Sequence, residues 1–251
     1  MYLKDQTLYA SSLELLPDKK LLISTINAHS HNLAQKDPLF AEALQNSDVL
    51  LPDGIGIVGA VRLLMGVRLQ KIAGADLFCY EMNRLNRTGG RCFFLGSSES
   101  TLRKIREKAA KEYPNIQLHT YSPPYKPEFS EEDNKVMIAA VNEMEPNVLF
   151  IGMTAPKQEK WAYQAINNSQ LIINNCHVCC IGAVFDFYAG TVTRAPRWMI
   201  KLGLEWFYRL VKEPRRMWRR YLIGNTKFIY YVMKEKWQRS GVPGKNRHSY
   251  T

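Results

Sequence analysis

The chain has 251 residues, 46% of them hydrophobic and 23% charged, a balance that supports a full core and excludes a disordered protein. Its formal net charge of +11 is lopsided: Lys and Arg number 15 against 3 acidic residues over 194–251, but 19 against 20 over 1–193. No run reaches the ~18 apolar residues of a membrane span, and five cysteines (Cys79, Cys92, Cys176, Cys179, Cys180) with no leader-like start make a reducing cytoplasm the expectation.

In chain order, six short apolar runs bounded by turn residues predict strands: LLISTI (21–26), SDVLLPD (47–53), RCFFLGS (91–97), IQLHTYS (116–122), NVLFIGM (147–153) and CHVCCIGA (176–183). PLFAEALQ, GIVGAVRLLMG, GADLFCYEMNRLN, ESTLRKIREKAAKEY, EEDNKVMIAAVNEME and PKQEKWAYQAIN, lying between or after them, predict helices. Such alternation implies an α/β, Rossmann-like domain, a mostly parallel sheet with helices on both faces and ligands at the carboxyl ends of its strands. After Gly190 the chain turns basic and aromatic. Four of the five tryptophans (Trp198, Trp206, Trp218, Trp237) fall there, in a stretch that reads as two or three helices punctuated by Pro196 and Pro214. The expected organisation is an α/β catalytic domain over 1–193, a basic helical membrane-associating appendage over 194–240 and a disordered end over 241–251.

Several strand ends carry residues suited to chemistry. GIGIVG (54–59) matches the dinucleotide pattern and has Asp76 about twenty residues on, which leaves a nicotinamide-dependent oxidoreductase as an alternative. Asp53, just before it, would repel a pyrophosphate there; it is either a helix cap or a catalytic carboxylate. Thr25 and Asn27 end the first strand beside it, and NAHSHN adds His29 and His31, an H-x-H pair with no third ligand marked by spacing.

FFLGSSES places Gly96, Ser97 and Ser98 at a strand-to-helix turn, able to hold a phosphate or ribose through backbone N–H groups, although Ser98 also reads as a plain N-cap. GMTAPKQEKW does the same with Gly152, Gln158 and Glu159. Cys176-x-x-Cys179 is either a metal or redox pair or part of a buried strand. No P-loop lysine pattern, nucleophile elbow or Asp-x-Asp clamp is present, so the implied chemistry is binding of a diphosphate-bearing molecule with no metal and no cofactor. The interleaved arginines and aromatics of the tail fit a membrane interface, a nucleic acid or a helical face packed on the core.

Seven blocks, TINAHSHNLA, LPDGIGIV, KIAGADL, FFLGSSES, NVLFIGMTAPKQEKW, GAVFDFYAGTVTRAPRWM and LGLEWFYRLVKEPRR, together resemble the bacterial WecG/TagA/CpsF glycosyltransferases, in that family's order from about residue 8 to about 222. The resemblance implies inverting transfer of an N-acetylmannosamine-type sugar from a UDP donor to a polyprenyl-diphosphate-linked N-acetylglucosamine. The setting would be the cytoplasmic face of the membrane, in synthesis of teichoic acid or capsule-type polymers. It assigns Asp53 as general base, Thr25 and Asn27 as its strand-end partners, and Gln158 and Glu159 as a loop beside the substrate. Arg209, Arg215, Arg216 and Arg219 then belong to a basic appendage that closes over the site and touches membrane. Where the family commonly has arginine this chain has Lys71, which keeps the charge but loses the bidentate fork. The expected partners are the donor, the lipid-linked acceptor and an anionic membrane surface; nucleic acid is not expected, and a homodimer is allowed.

Overall fold

The computed structural model describes residues 1–240, so the disordered end expected over 241–251 lies outside the described residues. Six strands form where the apolar runs predict them: β1 (Leu21–Ile26), β2 (Val49–Pro52), β3 (Gly90–Gly96), β4 (Ile116–Tyr121), β5 (Val148–Gly152) and β6 (His177–Cys180). All pair in parallel, in the order β2-β1-β6-β5-β3-β4. Consecutive residues of each strand point to opposite faces, and here both faces are covered. Cys92, Phe94, Val148 and Phe150 pack under α4 (Gly74–Thr88), α5 (Glu99–Glu112) and α8 (Val184–Ala189). Phe93, Leu95, Leu149 and Ile151 pack under α6 (Glu131–Met144) and α7 (Lys157–Asn167). Two-sided burial is why these strands read as unbroken apolar runs rather than alternating ones.

A third cluster lies beyond β1 and β2. There α1 (Ala28–Ala34), α2 (Pro38–Gln45) and α3 (Ile55–Met65) meet the last helix, α12 (Gly224–Ser240), whose Phe228 and Val232 are buried with Leu3, Ile26, Phe40 and Ile57. The edge of the His31 ring meets Phe228 at 5.2 Å between centroids. The buried Glu235 carboxylate accepts from the backbone N–H of Leu3 at 2.9 Å and of Lys4 at 2.7 Å, joining α12 to the start of the chain. The carboxylate sits at the beginning of a short helical turn, Leu3–Asp5, where an anion is favoured.

Three local readings need correction. Asn27 does not end β1, which stops at Ile26, and NAHSHN opens a helix. Asn27 caps α1, its Oδ1 accepting from His29 N–H at 3.0 Å and Ser30 N–H at 3.1 Å, and His31 becomes part of the packing under α12 rather than half of a metal site. The strand expected over 176–183 is shorter: β6 stops at Cys180, and Val184–Ala189 wind into α8. The tail holds more than two or three helices: α9 (Arg197–Lys201), α10 (Glu205–Lys212) and α11 (Pro214–Trp218) lead through a π-helical turn (Arg219–Ile223) into α12. The cysteines in and just before β6 are core. Cys176, Cys179 and Cys180 are buried free thiols, and burial pushes Cys176 up to about 12.

Candidate active site

The carboxyl ends of the six strands form one row. Asp53 follows β2 at one end, Thr25 in β1 and Asn27 just after it come next, then Gly182 after β6, Gly152 in β5 and Gly96 in β3. Four strand steps of ~4.8 Å separate β2 from β3, roughly 19 Å in all, so the expected residues divide into two groups along a crevice.

The glycine group is built by close packing. Gly96 and Gly152 are partners in the β3–β5 register. Gly96 has φ +119°, and a Cβ there would lie 2.7 Å from the Gly152 carbonyl oxygen; a Cβ on Gly152 would lie 2.3 Å from the Phe185 ring. Ser97 follows with φ +62°, and Ser98 is an ordinary cap, its Oγ accepting from Thr101 N–H at 3.3 Å. Gln158 and Glu159 face inward beneath the loop, with 4% and 1% of their surface exposed. Gln158 Oε1 accepts from Met153 N–H at 3.2 Å and its Nε2 donates to Glu159 Oε1 at 2.8 Å. Burial pushes the Glu159 carboxyl up to about 7, and its Oε2 has no partner.

The Asp53 group is electrostatic. Asp53 does not cap α3: the N-cap is Gly54, at φ +101°, and no side chain caps it. The chain is pinned here by backbone alone, Asp53 N–H donating to Ile26 O at 2.9 Å and Ile72 N–H to Pro52 O at 3.1 Å, which leaves the Asp53 carboxylate for the crevice and brings Lys71 alongside. Asp53 keeps some exposed surface, but the strand ends and the tail crowd it. Burial pushes its carboxyl up to about 6; Glu205 and Asp76 push the same way, while Lys71 and Arg194 pull against them. In GIGIVG a Cβ added on Gly56 would meet the Phe228 ring of α12 at 3.5 Å, an ordinary contact, whereas Gly54 and Gly59 have nothing within 4 Å.

The tail completes this group. Residues 190–223 run from α8 back past the strand ends, and the guanidinium carbons of Arg194 and Arg209 lie 6.0 and 5.6 Å from the ring centre of Phe187 in α8. Arg194 Nε donates to Glu205 Oε1 at 3.3 Å. Arg220, from the π-helical turn, is largely buried beside Arg209, Arg216 and Asp53, and it reaches His29, whose imidazole burial and Arg220 together lower to about 4. The Nε atoms of both Arg209 and Arg220 are buried without a partner. Two adjacent, partly exposed cations, each with an unused buried Nε donor, form a place for an anion.

Of the tail arginines expected at the site, Arg209 faces it. Arg215 is exposed, Arg216 pairs with Glu213 at 2.8 Å, and Arg219 stacks over the Trp218 ring at 5.2 Å. Arg194, Glu205 and Arg220 join the site with one local signal in the sequence, the i,i+4 spacing of Glu205 and Arg209 on one helix face. Among the described residues no three His, Cys, Asp or Glu side chains gather as a metal-binding group.

A parallel α/β sheet with a carboxylate and guanidinium groups over its strand ends is a ligand-binding arrangement. The model of the glycosyl transferase WecG/TagA/CpsF family matches residues 5–242, and the chain belongs to that family. It is 34% identical over 221 residues, 87% of this chain and 82% of the relative, to the N-acetylglucosaminyldiphosphoundecaprenol N-acetyl-beta-D-mannosaminyltransferase of Bacillus subtilis. To the Bacillus spizizenii protein of the same name it is 31% identical over 234 residues, 92% of this chain and 86% of that one. The chain is a glycosyltransferase.

Proposed function

We propose that the chain transfers an N-acetylmannosamine-type sugar from a UDP donor to a polyprenyl-diphosphate-linked N-acetylglucosamine, with inversion and without metal, in cell-surface polysaccharide synthesis. The acceptor and sugar follow the names of the two relatives. The observation that supports the reading is the nearness of Asp53 to Arg220, whose Nε, like that of the neighbouring Arg209, is buried without a partner. In one displacement the acceptor hydroxyl gives its proton to Asp53, its oxygen bonds to the anomeric carbon, and the bond to the UDP oxygen breaks, the electron pair leaving with UDP. Arg209, Arg220 and Lys71 are the cations placed to stabilise the charge on the leaving diphosphate. A carboxyl near 6 is ionised at pH 7 yet a better proton acceptor than an ordinary aspartate. Thr25 and Asn27 border this end of the crevice, and Gly96, Ser97, Gly152, Gln158 and Glu159 shape and support the other.

We assign residues 1–193 to catalysis and 194–240 to closing the site and binding the membrane, with the protein peripheral on the inner face. Among the described residues no helix is long and apolar enough to cross a membrane. Trp198, Phe207, Trp218, Ile229, Met233 and Trp237 are exposed on the basic tail, a pattern suited to an anionic bilayer surface.

The test is UDP release from a panel of UDP-sugars with and without the lipid-diphosphate acceptor, in EDTA. Asp53→Asn is expected to lower acceptor-dependent turnover by ~10²–10⁴-fold while leaving UDP binding intact. A wild-type rate in that variant would remove Asp53 as base, and strict dependence on added Mg²⁺ or Mn²⁺ would remove the metal-free mechanism.

A further inference from the structure

The turn at Gly203 is where the tail meets the edge of the sheet that carries Asp53. Gly203 has φ +73°, and a Cβ there would lie 2.6 Å from Ile55 Cγ2. Ile55 opens α3 two residues after Asp53, so this close approach seats the tail beside the carboxylate. Two residues beyond Gly203, Glu205 begins α10, and Arg194 holds it at 3.3 Å with both side chains only a quarter to a third exposed.

The charged groups facing Asp53 are Lys71 from the loop between α3 and α4, Asp76 from α4, Arg194 from the loop after α8, Glu205 from α10 and Arg220 from the π-helical turn. Of the two anions, Asp76 is occupied in its own helix, its Oδ2 accepting from Ala73 N–H at 2.8 Å. Glu205 has no such local duty; its one hydrogen bond comes from Arg194.

We propose that Glu205 is the positioning residue through which the tail activates Asp53: a second carboxylate, delivered by the Gly203 turn and steered by Arg194, that acts on Asp53 by like-charge repulsion. The inference rests on the reading of Asp53 as the base. Glu205 neither gains nor loses a proton in the reaction; the acceptor hydroxyl's proton goes to Asp53. A neighbouring negative charge makes Asp53 hold that proton more tightly, and Glu205 does so against the tail cations Arg194 and Arg220, which pull the other way.

The experiment measures the pH dependence of acceptor-dependent kcat/KM from about pH 5 to about pH 8 in wild type, Glu205→Gln, Glu205→Asp, Gly203→Ala and Asp53→Asn. Carboxyl ¹³C NMR follows the Asp53 titration directly in the same folded proteins. Glu205→Gln is expected to move both the acid limb and the Asp53 titration to lower pH by roughly half a unit or more. Gly203→Ala, which keeps the carboxylate but unseats the turn, should move them the same way, and Glu205→Asp should leave them near wild type. An Asp53 titration unchanged in Glu205→Gln overturns the proposal even if activity falls. Activity retained in Asp53→Asn would instead sink the underlying assignment of the base, whatever Glu205 does.

Discussion

Glu159 shows at the residue scale how this fold holds a carboxyl neutral. It is buried, one oxygen accepts from Gln158, the other has no partner, and burial lifts the group to about 7. A carboxyl whose folded value lies above its unfolded one of ~4.3 contributes fully below that unfolded value and loses its contribution as pH rises through about 7. Glu159→Gln keeps an oxygen able to accept from Gln158 and removes the charge. Relative to wild type it is therefore expected to gain on the order of 1–3 kcal/mol of stability at pH 8 and little at pH 5. Urea unfolding at the two pH values checks this; an equal effect at both would mean that Glu159 is already ionised in the folded protein.

At the scale of elements, two glycines in similar-looking sequence do opposite things. Gly152 ends β5 against the Phe185 ring of α8, where a Cβ would come to 2.3 Å, whereas Gly59 lies exposed within α3 with nothing within 4 Å of an added Cβ. Gly152→Ala should cost about 1–3 kcal/mol through overpacking. Gly59→Ala should stabilise by about 0.4–1 kcal/mol, by restricting the unfolded chain and favouring the helix. Chemical denaturation of both variants separates the cases; a harmless Gly152→Ala would mean that the Phe185 contact yields.

For the whole molecule, the tail has two physical parts. The inner face of α12 belongs to the core through Phe228, Val232 and Glu235, so cutting the chain near 194 would uncover Ile26, Phe40 and Ile57 as well as remove charge. Replacing Trp198, Trp218 and Trp237 by Ala is the cleaner test, because all three are exposed. The triple variant is expected to fold, and to partition into anionic vesicles several-fold more weakly than wild type, with binding that falls as salt rises. Sedimentation with vesicles measures it; undiminished binding would take these tryptophans out of the interface.

The amino-acid sequence by itself determined the sheet and most of its helices, because strands buried on both faces must be short apolar runs and the intervening helices carry their caps and breakers locally. Local pattern misleads in three places: the polar spelling of NAHSHN hides a helix capped by Asn27, an apolar run continues past the end of β6, and Pro196 and Pro214 alone undercount the helices of the tail. The sequence also marked Asp53, whose position at a strand end is a local property. Tertiary structure alone decided which distant charges surround that residue. Arg194, Glu205, Arg209 and Arg220 reach the crevice through the Gly203 contact with Ile55, the Phe187 ring and the anchoring of α12. The Gly203 contact and the anchoring of α12 join residues about 150 positions apart or more, where helical and strand periodicity carry no information.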